Sequence, residues 1–380
     1  MQDVVVLGAG GSVGRQTAEV ILAHPDRLRA VGLAGRRRVE EIVRQAAALR
    51  PRWIVMDDPG AAERVRTAVA AGVEVAAGAD ALLEKLANLP RDTAVMAAMT
   101  GFQGLRPALA AAKTGARLMV ANKETLVAAG RLMRETIRQA GGSLVPVDSE
   151  HSALLQALGH PPKPYERLWL TCSGGPFRGW TTEALAAVTV EDALRHPVWR
   201  MGPKNTLDSA TLMNKGLEML EAHFLFDAPM DKIGVVVHPE GVVHSMVEFP
   251  DGAMLAQLAS PDMRLPIQVA LSWPDRWVSC AAPLGWREPW SLSFEPPNED
   301  RFPALTLARR AGELGGTAPA VFNAANEIAG ERFLAGDIRF LDIAAIVEAV
   351  LADHQVLPGD TLSAIEEADG WARARARAWR

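Results

Sequence analysis

The segment Pro146-Val147-Asp148-Ser149-Glu150-His151 carries the most informative chemistry in this chain. If it is extended, Asp148 and Glu150 at i and i+2 share one face, and two carboxylates converge on one point. Like charges that close repel unless a cation sits between them, and oxygen donors suit Mg²⁺ or Mn²⁺. A lone D-x-E pair is as often a solvated strand as a metal site, so a third ligand is required. Candidates for it lie in Asp208-Ser209-Ala210-Thr211-Leu212-Met213-Asn214-Lys215-Gly216-Leu217-Glu218. A helix starting near Ser209 or Ala210 stacks Asn214 on Glu218 at i and i+4, with Lys215 on an adjoining edge. One face then presents an amide, an ammonium and a carboxylate. Buried, that face calls for a polar ligand; exposed, it is only a surface Lys-Glu pair. Ser173-Gly174-Gly175 follows a strand-like run and offers a hydroxyl and open amides to a phosphate, as Ser209 does near the expected helix start. Cys172 has no Cys/His partner motif and reads as a small buried residue rather than a nucleophile. His238 and His244 are expected to share a strand face as structural or interface groups.

A second kind of chemistry is written near the N-terminus. Val4-Val5-Val6-Leu7 reads as a buried strand running into Gly8-Ala9-Gly10-Gly11-Ser12-Val13-Gly14, after which helical periodicity begins. Gly8 and Gly10 fit the start of a G-x-G-x-x-G fingerprint, but Val13 stands at its last position, so the spacing becomes G-x-x-G-x-x-G. The physical task is unchanged: glycines let the backbone approach a pyrophosphate, and amides at a helix start bind it. At the end of the second strand, Gly35-Arg36-Arg37-Arg38 offers arginines where an NAD site places a carboxylate. Arginine there favours a 2′-phosphate, hence NADPH over NADH.

The elements that must position these groups follow from periodicity. Further strands are expected over 30–34, 53–56, 93–98 and 117–120, alternating with Ala-rich helices, which makes the first ~145 residues an open parallel α/β domain. A mixed region follows, with strands at 167–171, 234–237 and 254–258 and a helix over 210–226. Five prolines between 283 and 303 make that stretch an extended linker, and residues 304–380 read as a helical bundle broken at Gly315-Gly316, Gly336 and Pro358-Gly359. At 380 residues the chain exceeds one core, and 49% apolar with 22% charged residues is an ordinary globular composition. A net charge of -5 gives no broad reason to bind nucleic acid, so any anion site is local. No apolar run approaches the ~18 residues of a membrane span, and no targeting segment is read at the start. Two distant cysteines match no zinc or redox spacing, which points to the cytoplasm. Arg373, Arg375 and Arg377 are expected to be a solvated helix end.

Taken together, the chain resembles the 1-deoxy-D-xylulose 5-phosphate reductoisomerase family along essentially its whole length. The resemblance rests on Ala121-Asn122-Lys123-Glu124-Thr125-Leu126, on the Asp148 and Ser173 segments, on His196-Pro197-Val198-Trp199-Arg200-Met201-Gly202, on the Asp208 to Glu218 run and on Pro261-Asp262-Met263-Arg264. It implies an NADPH- and divalent-metal-dependent enzyme (Mg²⁺ or Mn²⁺, with Co²⁺ a further candidate) that rearranges a ketose phosphate and reduces it. By the same resemblance Asp148, Glu150 and Glu218 hold the metal, and Ser173, Ser209, Asn214 and Lys215 bind the phosphate. Ser149 and Lys123 touch sugar hydroxyls, with Glu150, Glu218 and His196 also against the substrate. Gly10, Gly11, Ser12, Val13, Gly35, Arg36, Arg37, Asn122, Glu124 and Gly202 line the nucleotide, and residues 196–204 form a flap. The implied organisation is a Rossmann-like NADPH domain (1–147), an α/β catalytic domain (148–282), the linker (283–303) and the helical domain (304–380), assembled as a homodimer. The sequence departs from the family pattern at Gly10, where Thr is usual, at Cys172 and at Pro203. Two other readings share part of this evidence: another NADP-dependent dehydrogenase, and a non-catalytic NADPH-binding sensor.

Overall fold

The computed structural model describes residues 1–195, 202–285 and 290–380. The chain forms two compact units, Met1–Thr125 with Met133–Ser152 and Asp262–Ala282, and Leu126–Leu132 with Ala153–Pro261 and Pro283–Arg380.

The first unit is built on seven strands: β1 (Gln2–Leu7), β2 (Leu28–Gly35), β3 (Trp53–Met56), β4 (Glu74–Ala77), β5 (Ala94–Ala97), β6 (Arg117–Val120) and β7 (Ser143–Pro146). They lie in the order β4-β3-β2-β1-β5-β6-β7, every neighbouring pair parallel. Val4, Val5 and Val6 are fully buried, as a central parallel strand with helices on both faces requires. Crossovers α1 (Ser12–Ala23), α2 (Val39–Leu49), α3 (Pro59–Ala68), α4 (Ala79–Ala87), α5 (Leu105–Lys113) and α6 (Lys123–Ala140) supply those faces, and α7 (Ser149–Leu158) follows β7. Their starts are chemically marked: Asp58 caps α3 ahead of Pro59, and Asn122 caps α6 by accepting from the Thr125 amide. Because β2 leaves β1 on one side and β5 joins it on the other, the strand order reverses between β1 and β5, opening a crevice at their C-terminal ends.

The second unit holds a four-stranded mixed sheet of β8 (Arg167–Cys172), β9 (Ile233–Val237), β10 (Val243–Glu248) and β11 (Met254–Leu258), in the order β11-β10-β8-β9. The short helices α8 (Thr182–Leu185) and α9 (Val190–Ala193) precede α10 (Pro203–Ala210) and α11 (Met213–Phe226). The helix expected over 210–226 is α11, which starts later, at Met213; Ala210 is the last residue of α10. Thr211 caps α10 and Leu212 takes a left-handed conformation at φ 61°, a break that no Gly or Pro announces. The segment after β11 returns to the first unit with α12 (Arg264–Ser272), which packs on α1. Arg117 of β6 holds it there by donating to the Leu271 and Trp273 carbonyls.

Residues 283–285 and 290–303 form no helix or ladder strand, but Glu295 makes one antiparallel bridge with Val237. The chain then enters α13 (Ala304–Leu314), α14 (Ala318–Ala335), α15 (Asp342–Asp353) and α16 (Leu362–Ala378), broken where the glycines stand. The apolar faces of these helices join Leu168, Leu170 and Leu217 in one core. Arg373 is not the solvated residue that the sequence led us to expect. It bonds Glu327 at 2.6 Å and Asp369 at 2.7 Å, and its side chain is only 19% exposed.

Candidate active site

The crevice between β1 and β5 is shaped by glycines at its floor. Gly8 sits at φ +82°, and a Cβ there would lie 2.3 Å from the Ala98 carbonyl oxygen. At Gly14 a Cβ would come within 2.4 Å of the Gly8 oxygen, so helix and turn pack closer than any larger residue allows. Gly11 precedes α1 without a side-chain cap, leaving the first amides of that helix for an anion. A cavity of about 370 Å³ opens over this turn, lined by Gly8, Gly10 and Gly11, by Gly35 with Arg36 to Arg38, and by Thr100 and Arg106. Arg36 lies 3.5 Å from Asp57 and Arg37 3.1 Å from Asp58, both exposed, so their guanidinium groups stay at the mouth. Arg38 instead donates to the Gly10 carbonyl at 2.9 Å and holds the glycine turn. Ser12 and Val13 open α1 itself.

On the same unit, the metal-candidate segment departs from its expected geometry. Residues 148–151 are not extended. Asp148 stands just before α7, its Oδ1 accepting from the Glu150 amide at 3.2 Å and its carbonyl from the Ser152 amide at 2.8 Å. An aspartate that can satisfy an exposed helix-start amide favours this turn over a strand. Lys123, the first residue of α6, donates from Nζ to Asp148 Oδ2, and the fully buried His151 lies 3.2 Å from Asp148 Oδ1. Burial alone would raise the Asp148 carboxyl, but Lys123 and His151 outweigh it and hold the group well below the usual carboxylate range. Ser149 Oγ donates to Glu150 Oε2 at 2.7 Å. Asn122, with Oδ1 capping α6, spends Nδ2 on the Met99 and Gly101 carbonyls, and Glu124 is buried beside it in sequence.

In the second unit Lys215 and Glu218 are buried and Asn214 is half-buried, so the three are not an exposed surface pair. Asn214 Nδ2 donates to Glu218 Oε1 at 2.6 Å and Lys215 Nζ to Glu218 Oε2, with Lys215 3% and Glu218 1% exposed. Ser173-Gly174-Gly175 turns through two left-handed glycines, and the Gly175 amide donates to Ser173 Oγ at 3.3 Å. A Cβ on Gly175 would lie 2.7 Å from the Ser209 oxygen, so this turn packs on the backbone of the other candidate phosphate serine. Ser209 itself stands in the last turn of α10, not at a helix start: Pro203 and the uncapped Gly202 begin the helix six and seven residues earlier. His196 and flap residues 196–201 lie outside the described residues. Histidines 238 and 244 do not share a strand. His238 follows β9 and is locked by the Ser293 carbonyl on Nδ1 and two amides on Nε2, while His244 lies in β10.

Sequence reasoning gave no role to His151, although its i+3 spacing from Asp148 was readable at a helix start. It also missed the partners of Asp208, which is 3% exposed. Lys204 reaches Asp208 Oδ2 at 2.8 Å and Asn326 reaches Oδ1 at 2.9 Å from 118 residues away, a separation with no local signature.

A parallel sheet with an anion-ready glycine turn at its switch point and arginines ending its second strand defines a dinucleotide-binding α/β protein of the NADP-preferring type. The family model described as 1-deoxy-D-xylulose 5-phosphate reductoisomerase matches residues 4–130, and the two for C-terminal domains of that enzyme match 144–226 and 258–375. The chain belongs to the 1-deoxy-D-xylulose 5-phosphate reductoisomerase family. The enzyme of that name from Methylobacillus flagellatus is 47% identical over 100% of this chain and 98% of its own, and that from Symbiobacterium thermophilum is 48% identical over 99% and 98%. The Zymomonas mobilis enzyme, solved in complex with NADPH, superposes with a TM-score of 0.93 at 43% identity, covering 99% of this chain and 98% of that one. A reductoisomerase solved in complex with NADPH, fosmidomycin and magnesium gives 0.92 at 39%, covering 100% and 98%.

Proposed function

We propose that this chain converts 1-deoxy-D-xylulose 5-phosphate to 2-C-methyl-D-erythritol 4-phosphate, by skeletal rearrangement followed by reduction with NADPH. The observation that carries this reading is the identity of 47% over the whole chain to an enzyme of that activity, with every motif quoted above in order. The chain is an NADP-dependent oxidoreductase of isoprenoid precursor synthesis.

The residues present fit both cofactors. The glycine floor that a Cβ would fill and the arginines at its mouth suit a nucleotide with a 2′-phosphate. Asp148 and Glu150 are hard oxygen donors two residues apart, and Asp148 is held ionised by its neighbours. With Glu218, by the family pattern, they would hold Mg²⁺ or Mn²⁺. When bound, the cation supplies Lewis acidity to the ketose carbonyl, and NADPH supplies the hydride.

The chain's own groups do the rest. Lys123, fixed on Asp148, and Ser149, fixed on Glu150, are oriented to bind sugar hydroxyls. Ser173, Ser209, Asn214 and Lys215 bind the phosphate, whose binding energy is spent on orienting the reacting carbons. His196 and residues 196–204 exclude water. In this reading residues 1–147 serve the nucleotide, 148–282 the metal and substrate, and 304–380 the supporting bundle beyond the linker.

No helix among the described residues is long and apolar enough to cross a membrane. The working enzyme in this proposal is a cytoplasmic homodimer, supported by the edge strand β11, which exposes Met254 at 49% and Leu255 at 47%. The test is consumption of NADPH on adding 1-deoxy-D-xylulose 5-phosphate with Mg²⁺ or Mn²⁺, repeated with EDTA. Metal-dependent oxidation yielding the branched tetritol phosphate is expected. Folded, NADPH-binding protein that oxidises nothing would support the sensor reading instead.

A further inference from the structure

Ser209 lies in the last turn of the short helix α10, whose placement depends on a residue far along the chain. Eight residues do not hold a helix in place by themselves, and Gly202 gives this one no side-chain cap, so tertiary contacts must fix it. Next to Ser209 in sequence, Asp208 makes such a contact. This carboxylate is 3% exposed and is held from two directions, by Lys204 Nζ on Oδ2 at 2.8 Å and by Asn326 Nδ2 on Oδ1 at 2.9 Å. Lys204 belongs to α10 and moves with it; Asn326 belongs to α14. Asn326 is 1% exposed, and its own Oδ1 has no hydrogen-bond partner among the described residues. A carboxylate can only accept, so the amide must point its NH₂ at Asp208, and a buried acceptor is left unmatched to keep it so. One turn further on, Gly330 lies against Leu207, so α14 meets α10 at consecutive residues just before Ser209.

We infer that Asn326 is a positioning residue for the phosphate end of the substrate site: through Asp208 it sets the last turn of α10, and so the place of Ser209 against the Ser173-Gly174-Gly175 turn. The inference rests on the reading of Ser173 and Ser209 as phosphate ligands. Its distinguishing feature is that a side chain touching no ligand governs sugar-phosphate affinity and leaves the nucleotide alone.

The test is steady-state kinetics of full-length Asn326→Leu and Asn326→Ser beside Ser209→Ala, with thermal midpoints for each. Asn326→Leu is expected to raise KM for the sugar phosphate about tenfold with KM for NADPH unchanged, and Asn326→Ser, which keeps a donor, to recover part of that loss. Asp208→Ala, which removes the acceptor, supplies the same comparison from the other partner should the leucine variant not fold. A sugar-phosphate KM within about twofold of the parent in Asn326→Leu, or in Asp208→Ala where it stands in, overturns the inference if Ser209→Ala raises that KM. So does a lowered midpoint with loss of kcat alone, the mark of a merely structural role. An unchanged KM in Ser209→Ala overturns the phosphate reading beneath it, and the inference with it.

Discussion

Glu218 has both carboxylate oxygens in use, one taken by the Asn214 amide and one by the Lys215 ammonium, in a position 1% exposed. A carboxylate is not buried at such cost for packing alone, since a hydrophobic side chain of that volume would serve as well. Glu218→Gln keeps the shape and removes the charge. Turnover should fall on the order of 10³-fold or more, while the NADPH dissociation constant from a fluorescence titration stays within about twofold. Loss of both together would mean that the metal and nucleotide functions are not separable as proposed. The arginines after β2 make the opposite case. The exposed Arg36 and Arg37 pair with Asp57 at the surface and with half-buried Asp58, and such surface pairs contribute little to folding. Replacing both by alanine should therefore leave the thermal midpoint nearly unchanged and raise KM for NADPH on the order of tenfold, with little change in the use of NADH. Equal losses with both nucleotides would place the arginines outside 2′-phosphate recognition.

The strands that read clearly from sequence are those whose burial is continuous, such as Val4 to Leu7; β4 did not, because none of Glu74–Ala77 is fully buried. The misplaced start of α11 has a different cause. A left-handed Leu212 carries no compositional mark, so the sequence places Ser209 near a helix start although it lies in the last turn of one. Asp148 and Glu150 meet at a helix start rather than on a strand face, where Asp148 accepts from the Glu150 amide. The glycine turn, by contrast, is legible because Gly8 and Gly14 leave no room for a Cβ. Gly14→Ala would press a methyl into the Gly8 and Ala9 backbone at 2.4 and 2.6 Å. It should cost about 1–3 kcal/mol of stability and raise KM for NADPH well above that of the parent, which melting curves and kinetics check together. In the bundle, His354 links two loops: its Nε2 is hydrogen-bonded to Thr317 Oγ1 at 2.8 Å, and that hydroxyl accepts from the Leu357 amide at 3.0 Å. Burial depresses the His354 pKa. Folding thus favours the neutral ring, so its contribution is present above the unfolded-state value near 6.5 and is lost as pH falls through the lower folded value. The midpoint should drop between about pH 7 and 5, and His354→Gln should flatten that part of the profile; an identical profile would remove His354 as its source.

Over the whole chain, composition and motif order were enough to reach the family, because catalytic constellations are spread along the sequence and each leaves a short mark. Pairings across long separations left none. The return of residues 262–282 to the first unit and the bond from Asn326 to Asp208 depend on tertiary placement alone. Assembly is the other property that a single chain shows only indirectly. In the four-stranded sheet β11 is paired on one side by β10, and its outer edge carries Met254 and Leu255 about half exposed. An unpaired edge with apolar side chains invites another strand, and proteins that stay monomeric usually guard such an edge with lysine, proline or a bulge. None of the residues from Met254 to Leu258 is charged or proline. If a second copy covers this edge, Met254→Lys with Leu255→Lys should shift the protein to the monomer mass in sedimentation at low micromolar concentration. NADPH should still bind, because every residue assigned to the nucleotide lies outside β11. A double variant that sediments as the parent does would place the subunit contact elsewhere on the surface, and a parent that is already monomeric would remove the dimer from the proposal.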